Sequence, residues 1–402
     1  MTRTITRRMA VVGTALATPM LSLRAQTAPI RIGFSAPLTS AFAAEAQDQV
    51  RAAQLAILLF NEKDGLNGRT AELLVRDDRL NPGEATARTT ELIEKDKADF
   101  IVGGLSAAVQ LAINNVTRPR RVLFNSLSQS GAINEAPDFS RYTFHEAPNP
   151  HMTAGAVARY AFPKFGKRVA LLAADDAYGQ ETVRGFMDAG KPLGIEVVAD
   201  VRHSVGAMDY SAFLPQIQAS KPEVLCLCNF GRDQQISVKQ ANDFGLKRTT
   251  RLVAPVLLYT ARVGGGAEAF AGVVGGTPYY WKLEDTVPSA RVFNDGFRQL
   301  HGGRIPSDYG ALGYAGVITV LSAVRTAGAV DTEKVVDALA ALKYNAYKGP
   351  QHYRACDHQS VQSVLIIQSK DPAAGDADVF DIVGSEGPDD AFLRSCADLG
   401  HA

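Results

Sequence analysis

Asp99-Phe100-Ile101-Val102-Gly103-Gly104-Leu105-Ser106 carries the key to the architecture. The apolar run reads as a strand buried on both faces. It ends in a glycine pair, and Ser106 is placed to cap a following helix. A buried strand that turns straight into a helix is half of a parallel α/β unit. The same unit recurs on both sides. Upstream, Ile30–Ser35 is a strand ending in the turn Ala36-Pro37-Leu38-Thr39-Ser40. Val50, Ala53, Ile57 and Phe60 then recur at helical spacing, and the helix closes near Gly65. Leu73–Asp77 is a second strand. Asn81-Pro82-Gly83-Glu84 supplies a cap, a first-turn proline and an acid for a helix to about Lys97. Downstream, the strand Arg121–Asn125 opens into Ser126-Leu127-Ser128-Gln129-Ser130-Gly131.

The rhythm then restarts. Arg168–Ala173 is a strand ending in Asp175-Asp176-Ala177-Tyr178-Gly179 and a helix. Ile195–Arg202, Val224–Cys228, Leu252–Val256 and Gly272–Val274 are further strands, with helices at Tyr210–Ala219 and from Gly231 to about Asp243. Val292–Leu300, Gly310–Ala327 and Asp331–Leu342 are helical, and Val364–Ile367 is a late apolar strand. Alternating strands and helices imply parallel sheets with right-handed crossovers. Two series imply an α/β protein of two doubly wound lobes.

The N-terminus is a different kind of segment. Arg3, Arg7 and Arg8 precede an apolar stretch from Met9 to about Leu23, and Ala25 or Ala28 offers the cleavage point. Residues 1–25 therefore read as an export signal, by the general or the twin-arginine route. Export places the mature protein in the periplasm. The remaining chain suffices for two domains at roughly 100–200 residues each. Apolar residues make up 46% and charged residues 21%, which allows proper cores. Acidic and basic residues balance at 42 each, so net charge gives no reason to expect a nucleic-acid partner. Cys226 and Cys228 share one face of a strand and read as buried thiols. Cys356 and Cys396 are the plausible disulfide in an oxidising compartment, the alternative being two unrelated thiols.

Catalytic patterns are missing. There is no phosphate loop, no His pair one turn apart beside a Glu, no complete dinucleotide fingerprint and no Gly-x-Ser-x-Gly elbow. The chain reads as a non-enzyme with no cofactor and no metal. What the loops offer is binding chemistry, since ligands of open α/β sheets sit at the carboxyl ends of the strands. Those ends hold Ser106, Ser128, Gln129, Asp176, Tyr178, Phe230 and Val256. Ser106 and the amides after it suit a carboxylate, because a helix N-terminus carries free N–H groups. Each serine alone is equally well explained as a cap for its own backbone. Tyr178 and Phe230 suit an apolar ligand part or packing in the second lobe.

The ordered set Ile30-Arg31-Ile32-Gly33, Asn61-Glu62-Lys63-Asp64-Gly65-Leu66-Asn67-Gly68, Phe100-Ile101-Val102-Gly103-Gly104, Asp176-Ala177-Tyr178-Gly179 and Asp209-Tyr210-Ser211-Ala212-Phe213 resembles the type I periplasmic solute-binding proteins of ABC importers, in the branched-chain amino acid/amide-binding (leucine-binding protein) family. The resemblance covers nearly the whole mature chain. It implies two lobes joined by a three-strand hinge, with crossings near Ala147, Thr277 and Gly349. Lobe one would be 29–147 plus 278–348, and lobe two 148–277 plus 349–402. It implies a monomer that closes on a small molecule and delivers it to an ABC permease in the inner membrane. Family members hold a ligand carboxylate from the loops matching Ser106 and Ser128-Gln129, and place aromatics at Tyr178 and Phe230. Val256 stands where amino-acid binders keep a Glu for the ligand ammonium. The first-loop aromatic is replaced by Ala44-Glu45-Ala46. A buried ammonium without a carboxylate partner costs several kcal/mol. The expected ligand is therefore an amine-free acid, aromatic by preference, with a neutral amide next. A ligand-sensing receptor of the same fold and a secreted α/β enzyme are the competing readings.

Overall fold

A computed structural model of the chain describes Met1 and residues 28–371, 377–389 and 393–401. The expected signal, Met1 apart, lies outside the described residues. Strands β1 (Ile30–Ala36), β2 (Ala71–Asp77), β3 (Phe100–Gly103), β4 (Phe124–Ser126) and β5 (Thr143–His145) form one parallel sheet in the order β2-β1-β3-β4-β5. Strands β6 (Arg168–Ala174), β7 (Glu196–His203), β8 (Val224–Cys228), β9 (Arg251–Ala254) and β10 (Val274–Thr277) are the parallel part of a second sheet. After β11 (Lys343–Tyr344), β12 (Gln351–Tyr353) and β13 (Ser360–Val361), which make a small antiparallel sheet, β14 (Val364–Ser369) and β15 (Phe380–Glu386) return to the second sheet. Its order is β15-β14-β10-β9-β8-β6-β7, and β14 and β15 run antiparallel. The wholly parallel expectation thus holds for β6 to β10 and gives way at one edge.

The helices follow their strands: α1 (Ala43–Glu62), α2 (Pro82–Glu94), α3 (Ala107–Thr117), α4 (Pro150–Phe165), α5 (Ala177–Gly190), α6 (Leu214–Ala219), α7 (Gly231–Asp243), α8 (Tyr259–Gly265), α9 (Ala267–Phe270), α10 (Pro288–Leu300), α11 (Asp308–Ala327) and α12 (Thr332–Ala340). Strand β3 shows why the first sheet is covered twice. Ile101 packs with Leu92, Val109 and Ile113 of α2 and α3, while Phe100 and Val102 join the core under α1 and α11. Alternate side chains face opposite layers. Asn81 caps α2 by accepting from Glu84 N at 3.0 Å. Strand β4 starts later than expected. A 3-10 turn at Arg118–Arg120 ends on Arg121 with φ of 54°, which delays extended backbone.

Three crossings link the sheets, and buried side chains bind them together. Lys348 Nζ donates to Pro278 O at 2.9 Å and Ser363 O at 2.8 Å, and Gln362 Nε2 donates to Glu146 O. Burial pushes the Glu146 carboxyl up to about 7 and the Lys348 ammonium down to about 7. The third crossing falls later than Gly349. Residues 351–361 stay on the first sheet's side, through β12 pairing with β11 and the bridge of His145 to Gln359. The chain enters the second sheet only at Val364. The tail then comes back. Ala136 N donates to Leu399 O at 2.9 Å, and Arg394 pairs with Glu135 at 2.9 Å. A disulfide joins Cys356 to Cys396, with Cα atoms 6.2 Å apart. Cys226 and Cys228 are buried and free.

Candidate functional site

Gly103 opens the site. Its φ is 126°, and a Cβ there would stand 2.1 Å from Ser35 O. Only glycine lets β3 turn this tightly against β1. The turn carries Leu105 and Ser106 over the carboxyl edge of the sheet, where α3 begins. Ser106 Oγ accepts from Val109 N at 3.3 Å, an ordinary N-cap. Ser128 Oγ accepts from Ser130 N at 3.2 Å, and Ser128 O meets His145 Nε2 at 2.5 Å. Both serines are therefore engaged with backbone, as the plainer reading of each allowed.

Gln129 and Tyr178 are different. Gln129 is buried, yet neither amide atom has a hydrogen-bond partner, and the buried Tyr178 hydroxyl has none. Buried polar atoms are nearly always paired, so such orphans point to a missing ligand or water. Both line one cleft between the lobes, shut so tightly that only about 20 Å³ stays free. Ser106, Ala107, Leu105, Ser128 and Gln129 line it from the first lobe, and Asp176, Tyr178 and Phe230 from the second. Asp176 caps α5 by accepting from Gly179 N at 2.8 Å, and burial raises its carboxyl. Burial also holds the Tyr178 hydroxyl well above its usual range, so it stays a donor.

Two wall residues escaped the sequence reading. Phe42 and Tyr309 line the cleft, with ring centroids 4.7 and 5.0 Å from Phe230. The first-loop aromatic is thus present, two residues before Ala44-Glu45-Ala46. The helix α1 already starts at Ala43, so Ala44-Glu45-Ala46 belongs to it and the loop before it supplies the ring. Tyr309 belongs to α11, not to a strand end, so the strand-end rule could not find it. Val256 does not line the cleft. Its side chain is buried in the core, and its carbonyl accepts from Gln234 Nε2 at 2.7 Å.

The lobes are closed on each other. Arg232 N donates to Ala41 O at 3.2 Å. Glu181 of α5 reaches across to the first lobe, accepting from Ser130 Oγ at 2.5 Å and Gly131 N at 2.6 Å. Burial raises this carboxyl too. Beyond Glu181 lies a larger hollow of about 260 Å³, open to solvent. Its Arg354 and Arg394 are already paired, with Asp357 and Glu135. The cleft with the orphaned groups is the better candidate site.

A family model described as periplasmic binding protein matches residues 29–376. The chain is 26% identical over 321 residues to a Leu/Ile/Val-binding protein of Rhizobium johnstonii, covering 78% of this chain and 83% of that one. Among solved structures, a periplasmic binding protein from Burkholderia mallei is 25% identical, with a TM-score of 0.83 over 91% of this chain and 96% of that one. A solute-binding protein of an ABC transporter from Rhodopseudomonas palustris, in complex with 3,4-dihydroxybenzoic acid, shares the fold at 20% identity and a TM-score of 0.80, covering 88% and 96%. Two α/β lobes closed over a small aromatic cleft, with a family match across most of the length, lead to one conclusion: the chain belongs to the periplasmic binding protein family.

Proposed function

We propose that this protein is the exported, monomeric solute receptor of an ABC importer, and that its cleft closes on a small aromatic carboxylate without an amine. The carrying observation is the orphaned Gln129 amide and Tyr178 hydroxyl inside a cleft walled by Phe42, Phe230 and Tyr309. The α3 N-terminus at Ser106-Ala107 and the Gln129 amide supply donors for a carboxylate. Four rings suit a flat apolar body, each aromatic pair contributing about 1 kcal/mol beyond its area. The permease would take the ligand on reopening. Lobe one comprises 29–147 and 278–361, and the lobes swing about the crossings tied by Lys348.

Asp176 favours a second reading. It is the carboxylate in the cleft wall and could pair with a ligand ammonium. The relative named for leucine, isoleucine and valine binding agrees with that reading. Calorimetry with benzoate, 4-hydroxybenzoate, 3,4-dihydroxybenzoate and leucine separates the two. Micromolar binding of an aromatic acid and none of leucine is expected. Micromolar leucine binding without a response to any of the acids overturns the proposal in favour of the second reading. Fractionation of cells and light scattering test export and the monomer.

A further inference from the structure

Near Tyr309, but outside the residues that line the cleft, two acids lie at the seam between the lobes. Glu45 lies in the first turn of α1 and Asp308 begins α11, both on the first lobe. Each is about 2% exposed. From the second lobe, Thr260 donates its hydroxyl to Glu45 Oε1, and the Tyr259 backbone lies within reach of Asp308. Glu45 Oε2 and both Asp308 oxygens make no hydrogen bond of good geometry, the nearest donors to Asp308 being its own backbone N–H and those of Tyr259 and Tyr309. Gln49, one turn beyond Glu45 on the face of α1 turned to α11, is also fully buried with both amide atoms orphaned. Five orphaned polar atoms in one place are a heavy cost for a closed interface.

Charge explains what the pairing does not. Among the described residues no cation pairs with either acid. Asp48 on α1 faces the pair but is occupied by Arg51 at 2.5 Å, and its charge works against Glu45. From the second lobe come Tyr259, neutral and raised by burial, and Arg262, whose guanidinium is held by Ser369 Oγ at 2.7 Å. Arg304, ahead of α11, acts on Tyr259. Tyr178 and Tyr309 stay neutral because burial raises both. Two desolvated carboxylates with no counter-ion cannot both be ionised cheaply. Burial, then the neighbouring Glu45 charge, pushes Asp308 up to about 8, and burial raises Glu45.

We propose that closing the lobes on ligand takes up a proton at the Glu45–Asp308 pair, so that capture is strengthened in acidic surroundings and weakened in alkaline ones. The proposal rests on the closing-receptor reading above and concerns its regulation. When the lobes part, Thr260 and Tyr259 withdraw, water reaches both acids and they return to ordinary carboxyl values near 4. On closure a proton from bulk water adds to a carboxylate oxygen, and no other bond changes. The closed form holds that proton more tightly. Closure is therefore favoured fully below the open-state value and loses up to about tenfold in Kd per pH unit as pH rises through the closed-state one.

Calorimetry measures this directly. Binding of 4-hydroxybenzoate at pH 7.5 in phosphate and in Tris, whose ionisation heats differ, should show uptake approaching one proton per ligand. Asp308→Asn should abolish the uptake and Glu45→Gln should diminish it. No uptake in the natural sequence, or the same uptake in both variants, overturns the proposal. If none of the acids tested nor leucine binds, it is the receptor reading that has failed. Scattering without ligand then tests the proton link by itself. The radius of gyration should be smaller at pH 5.5 than at pH 8.5, and the difference should shrink in Glu45→Gln, which leaves the first turn of α11 unchanged. Equal radii in the natural sequence overturn the link.

Discussion

Gln129 shows how a single side chain marks a binding cleft. Its amide is buried with no partner from the protein itself, which costs about 1–3 kcal/mol wherever nothing else meets it. Gln129→Leu should therefore raise the melting temperature of the ligand-free protein while weakening aromatic-acid binding about 10–100-fold; calorimetry and thermal melts on the same sample check both signs. Gly103 gives the opposite case. Gly103→Ala drives a methyl into Ser35 O and should cost more than about 2 kcal/mol in denaturant titration. Sequence reading found Gln129 and Tyr178 because they lie at strand ends, where topology alone concentrates ligand contacts. It lost Phe42 and Tyr309 because one lies ahead of a helix whose register misled the comparison and the other arrives from a distant helix. The polar or aromatic character of each strand end was legible; which groups would already be satisfied by backbone was not. Ser106 and Ser128 make the point, since both look like ligand donors and both serve their own turns.

The strand–helix units of both lobes were legible because buried parallel strands write themselves as short apolar runs. β5, β12, β13 and β15 were not: they are short or half exposed, and pairing far along the chain defines them. The same distance hides the hinge chemistry. Lys348 ties two crossings through Pro278 O and Ser363 O, contacts that no local pattern announces. Lys348→Met leaves those two buried carbonyls unpaired and removes the positive charge nearest Glu146. It should cost about 2–4 kcal/mol, measured by denaturant titration, since an unsatisfied buried acceptor costs about 1–3 kcal/mol. Across the cleft, α5 presents Glu181 to Ser130 and Gly131. Glu181→Ala should leave the fold intact and speed ligand release about tenfold or more in stopped-flow measurements, since a charge-assisted bond is worth about 1.5–3 kcal/mol. An unchanged release rate would show that α5 does not hold the closed form.

For the whole molecule, two lobes that meet through a few polar contacts and the edge-to-face rings around Phe230 are built to part. Scattering should show a smaller radius of gyration on saturation with ligand than without it. The tail qualifies that motion. Replacing Cys356 and Cys396 by Ser removes a loop closure across 40 residues and should cost about 4 kcal/mol in unfolding experiments, by the chain-entropy estimate. The bridge also has a mechanical meaning. The β4–β5 flank carries the first crossing, and beside it the returning tail is fastened at Ala136 and Glu135. Among the described residues no chain segment is fastened in this way across the β1 flank, where Phe42 meets Phe230 and the ties are single hydrogen bonds. A hatch strapped along one side swings from the other. Solute should thus enter and leave past Phe42, and cutting the strap by reduction should turn a one-sided gape into a wider, less directed one, visible as faster hydrogen exchange at residues 131–136.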